Sequence, residues 1–187
     1  MDLLNGANVQ GGSFSGVPIP ANQGFKAWSM DPAACGGAST VASSGVLYLS
    51  ALYVPEACAI TGLWWYVSVA AATVTSGQNF AGLYDSGGNL LSSTGIDTDI
   101  ASTGIKTTAM SLNLTAGLYW GAWLINATTG PQMPRAGGAT GTSTFLNWGS
   151  TAATYRAASN GTGRTTMPST FTPSANSTNT GFLCAIK

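Results

Sequence analysis

Apolar residues in this chain come in short runs that alternate with polar ones at a period of two, bounded every ten residues or so by glycine, proline or asparagine. That period belongs to half-buried β-strands. The run Gly45 to Pro55 (GVLYLSALYVP) sets Val46, Tyr48, Ser50 and Leu52 against Leu47, Leu49, Ala51 and Tyr53, and Pro55 ends it. Ala59 to Val74 is apolar on both faces around Leu63, Trp64, Trp65, Tyr66, Val67 and Val69. A strand of that kind must be covered twice, once by an opposing sheet and once by an N-terminal arm or another subunit.

Asn79 to Gly95 (NFAGLYDSGGNLLSSTG) reads as a hairpin turning at Ser86-Gly87-Gly88, where glycine supplies the positive φ of a tight turn. Thr108 to Asn126 reads as two strands joined at Thr115-Ala116-Gly117. In the second, Leu118, Trp120, Ala122 and Leu124 share one face, and Tyr119, Gly121, Trp123 and Ile125 share the other. Gly121 there leaves room for a bulky neighbour. A Gly/Pro/Thr-rich loop is expected from Ala127 to Gly141, and a short strand from Ser143 to Ser150. Residues 151–180 are polar, with Tyr155, Met167 and Phe171 as isolated anchors, and Asn179 to Lys187 closes as a strand. No heptad or sustained 3.6-residue pattern occurs. The fold class expected is all-β, an antiparallel jelly-roll-like β-sandwich over residues 41–187. Residues 1–40 read as an irregular docking arm, carrying Phe25, Trp28 and Met30, that docks on a neighbour or folds back over the sandwich. Its truncation is expected to leave a folded domain.

Charge then narrows the function. Only 6% of the 187 residues are charged, the formal net charge is zero and histidine is absent, against about 25% charged residues in an ordinary domain. Ser-His-Asp and Cys-His centres are thereby excluded, and no catalytic, cofactor-binding or metal-binding residue is assigned. The chain is read as a non-enzyme. Asp97 and Asp99 would share one side of an extended segment, but a cation would need four or more further oxygens, and a solvated loop is the reading adopted. Lys26, Lys106, Arg135, Arg156, Arg164 and Lys187 are scattered, which argues against nucleic acid. No apolar stretch reaches membrane-span length, and Met1 to Gly12 lacks the pattern of a secretory signal. Cys35, Cys58 and Cys184 form no CxxC pair and read as reduced thiols of a protein folded in a cytosol, the alternative being one bridge from Cys58 to either other cysteine. The four sequons, at Asn113, Asn126, Asn160 and Asn176, are discounted for want of a signal. Trp64, Trp65, Trp120, Trp123 and Trp148 read first as core or interface residues, and second as stacking platforms for sugars. A neutral, aromatic-rich chain of this kind suits an obligate assembly.

Three stretches, GVLYLSALYVPEACAITGLWWYV, GQNFAGLYDSGGNLLSSTG and GIKTTAMSLNLTAGLYWGAWL, resemble a domain of minor tail and other virion proteins of tailed bacteriophages, particularly those of actinobacteria. The likeness spans Gly45 to Asn126. It implies a structural, homotrimeric virion component, folded in the host bacterial cytoplasm, a minor tail or tail-tip protein. Its partners would be copies of itself, other virion proteins met through the arm, and a host cell-surface glycan. A capsid decoration protein is the alternative within the virion; a secreted carbohydrate-binding module is the alternative outside it. The likeness supplies no catalytic residue.

Overall fold

A computed structural model describes residues 18–41, 45–136 and 145–187. Residues 1–17 of the expected arm, the end of the 127–141 loop and the start of the 143–150 strand lie outside the described residues. Along the chain run β1 (Ala27–Trp28), β2 (Cys35–Thr40), β3 (Leu47–Val54), β4 (Cys58–Val67), β5 (Ala72–Val74), β6 (Phe80–Asp85) and β7 (Leu90–Gly95). A short helix α1 (Asp97–Ile100) leads to β8 (Gly104–Leu114), β9 (Gly117–Leu124), β10 (Ala127–Thr129), β11 (Gln132–Ala136), β12 (Ala157–Asn160), β13 (Ser177–Thr178) and β14 (Cys184–Ile186). The protein is an all-β antiparallel sandwich. One sheet has the order β13-β12-β3-β9-β6-β7, the other β1-β14-β4-β8. The chain changes sheet between β1 and β3, β3 and β4, β4 and β6, β7 and β8, β8 and β9, and β13 and β14. Two-stranded pairs β5–β10 and β2–β11 sit beside these sheets.

The alternation read from the sequence sorts the side chains into two cores. Between the sheets lie Leu52, Leu63, Trp65, Leu83, Trp123 and Phe182. Trp65 meets Trp123 edge-on at 6.4 Å, and Trp123 meets Phe182 at 6.2 Å. Gly121 faces inward here, and a Cβ on it would stand 2.7 Å from the Cys184 sulfur. The expected space is thus filled by the C-terminal strand. On the far side of the larger sheet Leu47, Leu49, Tyr84, Trp120, Ala122 and Phe171 form a second core. The polar stretch after Thr151 covers it, with Tyr155, Met167 and Phe171 as its apolar contacts. The Tyr84 hydroxyl donates to the Pro168 carbonyl at 2.7 Å, and Phe171 N–H donates to the Gly88 carbonyl at 2.9 Å.

Residues 18–40 run back along the sandwich. β1 pairs with β14, and β2 pairs with β11. Ser29 ties the two ends of the chain together: its hydroxyl donates to Phe182 O and accepts from Cys184 N, both at 3.0 Å. Ser50, in the other sheet, accepts from Phe182 N at 3.0 Å, which accounts for a fully buried hydroxyl in β3.

Three segments depart from the sequence reading. The expected loop after Ala127 carries β10 and β11. In the 143–150 stretch, residues 145 and 146 are helical and 147–149 form a turn, so its described part is no strand. Asp97 and Asp99 lie in α1, not in extended chain. All three cysteines are free.

Candidate functional site

Three of the six carboxylates, Asp31, Asp85 and Asp97, are engaged in building turns. Asp31 accepts from Ala33 N–H at 2.9 Å and caps the turn after it. Asp85 holds the β6–β7 hairpin: its carboxylate accepts from both the backbone and the side chain of Asn89. Partial burial raises the Asp85 pKa, but the Asn89, Gly87 and Gly88 hydrogen bonds outweigh it and leave the pKa below its ordinary value. Asp97 accepts from Gly77 N–H at 2.6 Å and from the Asn79 amide at 2.9 Å. The Gly77 bond, foremost, holds this carboxyl below the usual range. Lys106, nearly buried, donates to the Ser102 hydroxyl at 2.8 Å. Among the described residues no three His, Cys, Asp or Glu side chains come together as metal ligands. Cys184 is buried in the main core, and burial pushes its thiol up to about 12, against a slight opposing pull from the Ser29 hydroxyl. It is a packing residue, protonated and unreactive at neutral pH.

Three of the four sequon asparagines are structural amides. Asn126 donates to Gln78 O at 3.0 Å and Arg164 O at 2.9 Å, and Asn160 donates to Asn176 Oδ1 at 3.0 Å. Asn79 belongs to the same system, since its Oδ1 accepts from Asn126 N–H at 2.6 Å. These residues lock the 75–79 turn and the 160–164 turn to the end of β9. The bonds that join these turns to one another span 16 to 48 residues of chain, so the sequence pattern does not announce them. Asn113 is exposed.

The tryptophans separate into three settings. Trp65, Trp120 and Trp123 are core residues. Trp28 and Trp64 are half-buried on the outer face of the smaller sheet, where Phe25 packs edge-on to Trp64 at 5.8 Å. The segment before β1 thereby covers part of the face that the doubly apolar β4 leaves over. The remainder is an open groove of about 220 Å³. Trp28, Trp64, Tyr66, Ile105 and Leu183 line it, with Ile105 69% exposed. Lys187 Nζ stands 5.2 Å from the Trp64 ring, the one cation on this rim among the described contacts. Trp148 is the third setting: it is 80% exposed beside Phe145, itself 72% exposed, with the rings edge-to-face at 5.7 Å.

A mixed polar hollow lies between the β6–β7 and β8–β9 turns, lined in part by Asp85, Asn113 and Thr115. Its Tyr119 is buried and bonded to Thr115, so it offers no open ring on which a sugar could stack. No described helix is long and apolar enough to cross a membrane. Comparison of the chain with models of known protein families and with curated proteins finds no match.

Proposed function

We propose that this chain is a non-enzymatic structural component of a tailed-phage virion, a minor tail or tail-tip protein that works by hiding an apolar sheet face against other protein. The observation that carries the assembly part is the outer face of β4, β8 and β14. Most large apolar side chains of the sandwich have an intramolecular cover, on both faces of the six-stranded sheet and on the inner face of the smaller one. Among the described residues, the groove around Trp64, Tyr66 and Ile105 has only Phe25 and its neighbours as cover. Apolar, aromatic, uncharged surface of that kind is the composition of interface cores. The engagement of Asp31, Asp85 and Asp97 in turns supports a non-catalytic role. The virion part rests on the resemblance of residues 45–126 to phage tail modules, as does the expected homotrimer.

The test is mass spectrometry of purified particles from a phage that encodes the chain. A few copies per particle are expected for a tail or tail-tip component. Hundreds would place it on the shell as a decoration protein, and absence from intact particles would refute the virion reading.

A further inference from the structure

We propose that copies of this chain join head to tail, the Phe145–Trp148 pair of one copy seating in the Trp64–Tyr66–Ile105 groove of the next. The inference rests on the reading of the sheet face as an assembly surface and is independent of the particle to which the assembly belongs.

The aromatic pair is a pre-set knob. Both rings project from a helical turn closed by Trp148 N–H donating to Phe145 O at 3.2 Å. Between them in sequence, buried Asn147 clamps the turn to β12: its amide donates to Ala157 O at 2.7 Å and its carbonyl oxygen accepts from Ala157 N–H at 3.1 Å. Leu146 points the other way, toward Gly181. The turn is thus anchored by its middle residues while its aromatic residues stay 72% and 80% exposed. A tryptophan held in this way binds with little loss of freedom, and burying it removes roughly 150–250 Å² of surface from water.

The groove is the complementary shape. A cavity of roughly 150 Å³ lined by aliphatic and aromatic groups accepts benzene, so about 220 Å³ is room for one six-membered ring and part of a second. Its walls are mostly the carbon faces of aromatic and aliphatic side chains, which suit an apolar ring better than a sugar or a small ion. The cation at its rim, Lys187 over Trp64, can turn to the face of an arriving indole.

Among the described residues of one copy the two features do not satisfy each other, because both knob rings and Ile105 remain open. A second copy brings the missing half of each. The formal net charge is zero, so copies do not repel. Knob and groove are different patches, which makes the contact heterologous: it closes into a ring if the rotation per step allows, and otherwise propagates.

The test is sedimentation velocity on the full chain and two variants. Phe145→Ser/Trp148→Ser removes the knob and keeps the groove. Ile105→Lys blocks the groove and keeps the knob, at a position exposed enough not to disturb folding. Each variant alone is expected to be monomeric while the parent is oligomeric. Mixed in equal amounts they retain one good knob and one good groove between them, and a 1:1 dimer with nothing larger is expected. Unchanged melting temperatures certify folding, and Tyr66→Lys serves should Ile105→Lys fail that check. A monomeric parent, variants that assemble like the parent, or a mixture of folded variants that stays monomeric would each overturn the proposal, the last also if the groove binds only some other protein. Absence from virions would end the phage reading and leave this one standing.

Discussion

Gly88 is the point where the β6–β7 hairpin supports the cover of the outer core, and replacing it by alanine tests that arrangement. Gly88 has φ of 81°, and a Cβ there would lie 2.2 Å from the Phe171 carbonyl oxygen, a backbone atom with little freedom to yield. The left-handed conformation costs a non-glycine residue about 1–2 kcal/mol. Displacing residue 171 also disturbs the Phe171 N–H to Gly88 O bond, worth about 0.5–1.5 kcal/mol net. The expected loss is therefore about 1.5–3.5 kcal/mol. For a chain of this size that lowers the melting temperature by roughly 3–14 °C. Gly87 is the internal control. Its added Cβ would meet only the side-chain ends of Asn89, at 3.1 Å, and Asp85, at 3.3 Å. Gly87→Ala should cost less than about 1 kcal/mol, as surface substitutions away from strained positions do. Thermal unfolding followed by circular dichroism measures both. Trp120 fluorescence should change in Gly88→Ala alone, because Phe171 packs against that ring at 6.5 Å. Equal melting temperatures for Gly88→Ala, Gly87→Ala and the parent would refute the reasoning.

Other consequences can be measured with the same material. A thiol reagent should reach two sulfhydryls in the native protein, Cys58 and, more slowly because burial and the Asp31 carboxylate raise its pKa, Cys35, and a third only on unfolding, since Cys184 is 1% exposed. Deletion of residues 1–40 should abolish cooperative unfolding, contrary to the sequence expectation of a surviving domain. It removes β1 and leaves Cys184 N–H and Phe182 O without the Ser29 hydroxyl, at about 1–3 kcal/mol for each orphaned group. Asp97 sets an acid limit. Its folded pKa lies below the ordinary value of about 3.9, so its contribution is present above that pH and is lost as pH falls through the folded pKa. Asp97→Asn should lower the melting temperature at pH 7 and converge on the parent in strong acid; parallel curves throughout would contradict this.

The parts of the fold legible in the sequence are those fixed by neighbours in the chain. The 79–95 hairpin was readable because Gly87-Gly88 sits between two alternating runs, and Asp85 is placed to bond Asn89 across the turn. The two faces of β9 followed from parity alone. The two-sided apolar character of β4 correctly demanded a second cover, yet nothing local told that Phe25 would supply part of it. The cover over Trp120 was equally hidden, because Met167 and Phe171 lie in a polar stretch whose partners are distant strands. Phe145 to Ser150 was misread as a strand, since a short apolar run fits either period. Its conformation is decided by Asn147 clamping β12, a contact the pattern cannot hold. Of the candidate site, the sequence named Trp64 and Trp148 without separating them from Trp65, Trp120 and Trp123, because burial is a property of the finished sandwich.

The order β1-β14-β4-β8 has a bearing on synthesis. β14 is the last strand described and lies between the first strand and β4, so the smaller sheet stays split until Ile186 has left the ribosome. Leu183, which lines the groove, arrives at the same moment. Nascent chains crowded on one messenger therefore lack a finished docking face and can bind one another through it only after each has closed its own sandwich.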